Sequence, residues 1–444
     1  TLAEGRPNEP EQVNDASGTA VERFLKWETD PKRRQIALDA ALPRCLNQDV
    51  IAQLRTEEEA ADLFEWLKQK PFVRERTDGW AYHEVVRTQM LRYKQRVSPQ
   101  GWADLHGKLA DYYDTLRNAL QLNTDKCYED ATWQTYTLNL LYHRLCQSPQ
   151  KHLPTALNEF LASLKKRRFA EQWAEVMAQS GKESSAVEVQ QWGDRLVEGL
   201  KAFNEGHYEA TASVFKALIE YPEIDRQGLL IAYDWRGWMY QAVKRYEEAL
   251  QDFERLIELN PQSAWAIGSR GETYRLIERY EEALQDFDRA IELNPLYAWA
   301  VGCRGVTFLF LGRYQDASVV LNRALELDLN NDCWLYYRAL AHRALGQIEQ
   351  AKTDLTQAIR LAQAEYEKNA ENWRNVFNLA LYFLAAGEDD RAKFFYRDAL
   401  QRGAPEPFIR EAIQDLKVFL MIFPNHGLAH KAQQFLQNAL QKIK

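Results

Sequence analysis

From about residue 190 onward, apolar positions return every three or four residues, break at a short polar turn, and return again, so the stretch reads as a succession of paired helices. The pattern also repeats on a longer scale. "RYEEALQDF" occupies 245 to 253 and recurs letter for letter at 279 to 287, an offset of 34 residues. At that offset small residues align at Gly237, Gly271, Gly305 and Ala339, and rings at Tyr240, Tyr274, Phe308 and His342. Alanines align at Ala249, Ala283, Ala317 and Ala351, and large apolar groups at Phe253, Phe287, Leu321 and Leu355. Each unit is therefore expected to be two antiparallel helices. The small residue lets them approach closely, the ring and the large apolar group fill their seam, and stacked neighbours bury what one pair cannot. Units in phase start near residues 192, 230, 264, 298, 332 and 373. The first is degenerate, with "HYEATASVF" at the repeated stretch, and a seven-residue insertion before the last is expected to lengthen a helix. A polar helix pair over 407–444 suits the end of an open array.

This pattern resembles the tetratricopeptide (TPR) repeat family in spacing, small residues, rings and the closing Pro261 and Pro295. The resemblance implies an all-α superhelix over 191–406 whose first helices line a concave face that takes peptides or protein segments. The family's groove positions fall on Trp238; on Trp265, Gly268, Glu272 and Arg275; on Trp299, Gly302, Val306 and Leu309; and on Tyr336, Leu340 and Arg343. Trp265 and Trp299 are each followed three residues later by a glycine, which suggests an aromatic pocket with a notch beside each indole. Seam packing is the alternative for both. The Lys and Asn pattern with which chaperone-binding members grip a terminal carboxylate is missing, because Gly268 and Gly302 stand at Lys positions. Arginines recur at Arg236, Arg270, Arg304 and Arg338, and sixteen residues on stand Asp252, Asp286, Val320 and Asp354. Three of them thus have a carboxylate in their own unit. Arg304 lacks one and is expected to meet a ligand, unless a neighbouring unit satisfies it.

The chain before the array has a different rhythm. Residues 21–98 give three helical segments, an alternating stretch around "TDG" that reads as a hairpin, and a further helix, the order of a winged-helix domain. Winged helices often bind DNA, but residues 21–96 hold 15 Lys and Arg against 13 Asp and Glu and no basic stripe, so DNA contact is unforced. Residues 99–190 read as a helical arm rich in aromatics, and 1–20 as a polar linker.

"RQIALDAALPRCLNQDVIAQL", "LFEWLKQKPFVRER" and "YHEVVRTQMLRY", followed by a helical stretch and repeats, look like the C-terminal half of a STAND-type (NB-ARC-like) signalling NTPase. That resemblance implies a bacterial sensor whose winged helix gates a nucleotide-binding domain, with His83 touching the bound diphosphate. A histidine at a helix start suits a phosphate on physical grounds too, since the free N–H groups there point the same way. A surface or hairpin-capping histidine is the alternative. No GxxxxGK[ST] occurs in the 444 residues, so the chain is expected to hold no cofactor of its own. ATP or ADP with Mg would belong to an upstream domain, and the chain is read as a piece of something longer.

Composition narrows the partners. A formal net charge of -8 disfavours nucleic acid and anionic membranes as the main partner. Five dispersed cysteines without a CxxC pair suit a reducing, cytoplasmic setting. The longest apolar runs, "VTFLFLG" and "KVFLMIFP", are far too short for a membrane span. "HGLAH" lacks the Glu of a zinc-protease motif, and no nucleophile elbow stands out, so no catalysis is expected. Three functions follow: the sensor half of a STAND-like ATPase, a free-standing TPR scaffold, or a winged-helix DNA-binding regulator.

Overall fold

A computed structural model describes residues 27–76, 79–123 and 126–443. The linker over 1–20 and the Thr77–Asp78 part of the hairpin turn lie outside the described residues. The chain divides into two compact units, 1–232 and 233–444.

The first unit begins with α1 (Pro31–Asp39), α2 (Gln48–Leu54) and α3 (Glu57–Lys68). Asp30 caps α1 by accepting from the Lys32 and Arg33 N–H groups, with Pro31 at the first turn, and Asn47 caps α2 through the Val50 N–H. Strands β1 (Val73–Arg76) and β2 (Gly79–Tyr82) pair antiparallel, with Val73 opposite Tyr82. An isolated antiparallel bridge from Leu46 to Trp80 adds a rung from the α1–α2 connection. Gly79 sits at φ +126, a conformation that a side chain rarely adopts, and a Cβ there would strike the Cys45 sulfur. Helix α4 (Glu84–Val97) follows. Ile36, Leu42, Leu46, Ile51, Leu67, Tyr82 and Leu91 are buried, and the Tyr82 hydroxyl donates to the Ala37 carbonyl at 2.8 Å.

Helices α5 (Pro99–Ala119), α6 (Ala131–Gln147), α7 (Pro149–Ser163) and α8 (Arg167–Ser184) form the aromatic-rich segment, followed by the pair α9 (Val187–Asn204) and α10 (Tyr208–Glu220). Ser98 caps α5, accepting from the Gly101 N–H, with Pro99 next in line. Arg87 of α4 ties the segment to the connection between α1 and α2, donating to Leu42 O at 3.1 Å, Tyr142 Oη at 2.9 Å and Glu183 Oε1 at 2.5 Å. His106 and His143 are fully buried with their Nδ1 atoms 2.8 Å apart.

The repeats continue as α11 (Arg226–Ala242) and α12 (Tyr246–Leu259), α13 (Ala264–Leu276) and α14 (Tyr280–Leu293), α15 (Ala298–Phe310) and α16 (Tyr314–Leu327), α17 (Asp332–Ala344) and α18 (Ile348–Lys368), and α19 (Trp373–Ala386) and α20 (Asp389–Gln401). The inserted residues lengthen α18 to 21 residues against 14 in α16. Seam positions behave as the period requires: Ala249, Phe253, Ala283, Phe287, Ala317 and Leu321 are fully shielded from solvent. A Cβ at Gly237 would lie 3.0 Å from the Phe253 ring, which shows how closely the helices of a pair approach. First helices of successive repeats touch each other, α13 with α15 and α15 with α17, so they form the inner face of this unit.

The C-terminal pair, α21 (Glu406–Ile422) and α22 (Gly427–Ile443), behaves differently from a polar lid. Besides α22, α21 packs on α19 and reaches back to α15, two repeats earlier. Ile409, Ala412, Leu416 and Phe419 are buried in the same core as Val306, Leu309, Tyr336 and Leu340. No helix among the described residues is long and apolar enough to cross a membrane.

Candidate recognition groove

The inner face of the second unit falls into a covered half and an open half. Val306 and Leu309 on α15, and Tyr336 and Leu340 on α17, are all nearly solvent-free. The expectation of an exposed inner wall therefore needs correction at these positions: α21 lies where a ligand would, and its Asp415 is close enough to act electrostatically on Tyr336, Tyr337 and Arg275. Burial pushes the Asp415 carboxyl up to about 7, with the nearby Glu411 adding to the shift. Arg343 is occupied as well, donating to the Ala385 carbonyl at 2.7 Å with its guanidinium over the Phe423 ring.

Toward α11 the face opens. Trp238 on α11 is 39% exposed and Trp265 at the start of α13 is 44% exposed. Trp265 leans on the seam ring Phe253, centroids 6.4 Å apart, and keeps much of its remaining surface in water. Trp299 is more shielded, edge-on to Phe287 and beside Tyr297. Glu272 and Arg275 are bound to one another through two hydrogen bonds of 2.5 and 2.8 Å, and Arg275 also lies over Phe310.

The glycines hold a different notch from the one expected. A Cβ on Gly268 would sit 3.2 Å from the Trp299 ring and 3.3 Å from Tyr297, and one on Gly302 would clash with the Trp334 ring. Each glycine thus makes room for an indole of the following repeat, and both are buried. Arg304 is not free: it donates to Asp288 of the preceding repeat at 2.6 Å. Its counterparts pair within their own repeats as expected, Arg236 with Asp252, Arg270 with Asp286 and Arg338 with Asp354, at 2.5 to 2.9 Å.

Asp234 was missed by the sequence reading. It stands 34 residues before Gly268 and 68 before Gly302, so the repeat register alone places it on the inner face. Its Oδ1 is shut off from solvent and has no hydrogen-bond partner among the described residues, and burial alone pushes its carboxyl up to about 7. Tyr297 lies near enough to feel it.

His83 is exposed at the N-cap of α4. Its backbone is fixed, the N–H donating to Phe72 O at 2.7 Å and the carbonyl accepting from Arg87 N at 2.9 Å, while its side chain makes no cap bond. No cluster of three or more His, Cys, Asp or Glu suited to a metal occurs among the described residues, and the five cysteines form no disulfide with one another.

Tetratricopeptide repeat models match residues 231–263, 264–297 and 335–365, so the chain carries these repeats. Among solved structures, the thermophilic TPR protein TTC0263 of Thermus thermophilus is 20% identical, with 44% of this chain and 99% of that chain covered at a TM-score of 0.35. MamA of Desulfovibrio magneticus RS-1 is 16% identical over 39% of this chain and 96% of its own, TM-score 0.34. YrrB, described as a TPR protein with an unusual peptide-binding site, is 20% identical over 50% and 99%, TM-score 0.29. None of the curated proteins compared matches the sequence.

Proposed function

We propose that the chain is a protein-interaction module that holds a peptide or protein segment in the open half of its inner face. The observation that carries this reading is the pair of solvent-facing indoles, Trp238 and Trp265, on the first helices of successive repeats. Exposed tryptophans give large contact area for little ordering entropy, and they dominate the energetics of protein interfaces. TPR repeats support the same role. The test is a pull-down with the full chain and with Trp238→Ala combined with Trp265→Ala. Loss of partners in the double variant is expected; equal recovery sinks the site.

At a finer level, we infer the sensor half of a STAND-like signalling ATPase, with residues 21–98 as a winged helix gating an upstream nucleotide-binding domain. Three helices, a hairpin and a fourth helix in that order support this reading, as does the Leu46–Trp80 bridge, which ties the connection between the first two helices to the hairpin. The bare, exposed His83 is the residue that would meet the diphosphate. Ligand capture would then shift a two-state equilibrium between gated and released forms. A free-standing scaffold fits the repeats equally well. A P-loop domain encoded directly before Thr1 favours the sensor; its absence leaves the scaffold.

A further inference from the structure

Resting on the groove reading above, we propose that the segment bound there is basic, and that a lysine or arginine side chain places its cation on Asp234 with its stem alongside Trp238 and Trp265.

Asp234 has one carboxylate oxygen, Oδ1, closed off from solvent with no hydrogen-bond partner among the described residues. A carboxylate oxygen shut away from water without a hydrogen-bond partner is costly, and native structures almost always supply a cation or donor. Here the following two repeats show that the position has no structural need of an acid. Gly268 and Gly302 occupy it, and each is shaped to receive a ring of the next repeat. The arginines nearest in register are committed elsewhere: Arg236 to Asp252 through bonds of 2.8 and 2.5 Å, and Arg275 to Glu272 through bonds of 2.8 and 2.5 Å. Gln241, one turn past Trp238, is likewise spent on Thr273 Oγ1 at 2.7 Å and Ser269 O at 3.2 Å. Asp234 Oδ1 is therefore left without a counter-ion or donor among the described residues, and burial holds the carboxyl up to about 7.

The surroundings select a cation rather than a neutral donor. Trp238 and Trp265 present exposed aromatic surface in the same stretch of the face, and a cation over an indole is held most strongly where water is excluded. Lysine and arginine also bury their aliphatic stems on such surfaces while the head reaches a polar group. An incoming cation would return the Asp234 carboxyl to its ionised form and remove the penalty it bears in the free chain. In the covered half, Asp415 is carried by α21 itself and already lies close to Tyr336, Tyr337 and Arg275, and Glu411 is engaged by Arg374 at 2.7 Å.

A random octapeptide display library, panned on the full chain at pH 7.5, tests this. The expected result is selection of peptides with Lys or Arg at one fixed position beside apolar residues. Replacing that residue by norleucine in the best peptide should weaken binding at least about tenfold by fluorescence anisotropy. Asp234→Asn, an isosteric change checked by its melting curve, should weaken the basic peptide as much and leave the norleucine peptide unchanged. Peptides that depend on Trp265 but carry no basic preference, or whose basic preference survives Asp234→Asn, overturn this inference and spare the groove. A chain that selects nothing, or only peptides indifferent to Trp265→Ala, overturns the groove reading and this inference with it.

Discussion

Arg304 reaches backward across a repeat boundary to Asp288, Nη1 to Oδ1 at 2.6 Å, where Arg270 turns forward to Asp286 of its own repeat with two bonds of 2.8 Å. The difference follows from one residue, Val320, which stands where the other repeats have an aspartate. The two pairs should not contribute equally. Asp286 is buried, so Arg270→Met leaves a carboxylate without its partner and is expected to cost about 3 kcal/mol. Asp288 faces water, with 57% of its side chain exposed, and the Arg304 Nε is itself buried without a partner. Arg304→Met should therefore cost less than about 1 kcal/mol. Urea denaturation of both variants checks this, and equal losses would contradict it.

The glycine notches make a second prediction. A methyl at 302 meets the Trp334 ring, which is 7% exposed and packed in the core, whereas one at 268 meets Trp299 and Tyr297, which are only partly buried. Gly302→Ala is expected to destabilise by about 2 kcal/mol and Gly268→Ala by less. Trimming the indole in Gly302→Ala with Trp334→Leu should recover part of the loss by making room. A thermal-melt series of the four chains reads the order directly.

Much of the array was legible because a 34-residue period leaves little freedom. Small residues, rings and alanines in register dictate which faces meet, and the first helices do begin at Ala264, Ala298, Asp332 and Trp373. The three in-repeat ion pairs were legible for the same reason. What the period does not constrain is anything that leaves the repeat. The Arg304 partner lies in the preceding unit, and α21 sits beyond the last copy, where no register says whether it stacks outward or folds onto the inner face. Its apolar stretch, Ile409 to Phe419, was the available signal, since a helix serving only as a polar lid would not need so many buried residues. Asp234 escaped notice because the rings and glycines define the inner-face register, and it is the residue that breaks it.

If α21 belongs to the core, truncating it must hurt as much as truncating a repeat helix. Leu416 is fully buried among residues of α21's partners, as Leu321 is within its own repeat seam. Leu416→Ala and Leu321→Ala are both expected to cost about 3 kcal/mol in urea titrations. A loss under about 1 kcal/mol at Leu416 alone would mean that α21 is loosely held and that the covered half of the groove opens readily.

Opposite responses to acid separate the two units. His106 is driven down to about 3 by burial and by the charge of Arg87, and His143 is held well below the usual range by burial, His106, Arg87 and Arg44. Unfolded, both take protons near 6.5, so the unfolded chain binds more protons than the folded one below that pH, and stability there falls as the pH falls. Asp234 and Asp415 have the reverse sign. Their folded carboxyls titrate near 7 and their unfolded ones near 3.8, so the folded form binds the extra protons and stability rises as the pH falls from about 7 toward about 4. Each group contributes at most about 1.4 kcal/mol per pH unit. Hydrogen exchange between pH 7.5 and 5.5, corrected for intrinsic rates, should show protection falling in α5 and α6 while it rises in α15 and α21. Asp415→Asn should flatten the rise in α21 without touching α5, and His143→Phe should flatten the fall in α6 without touching α21. Parallel changes in both units would refute the assignment.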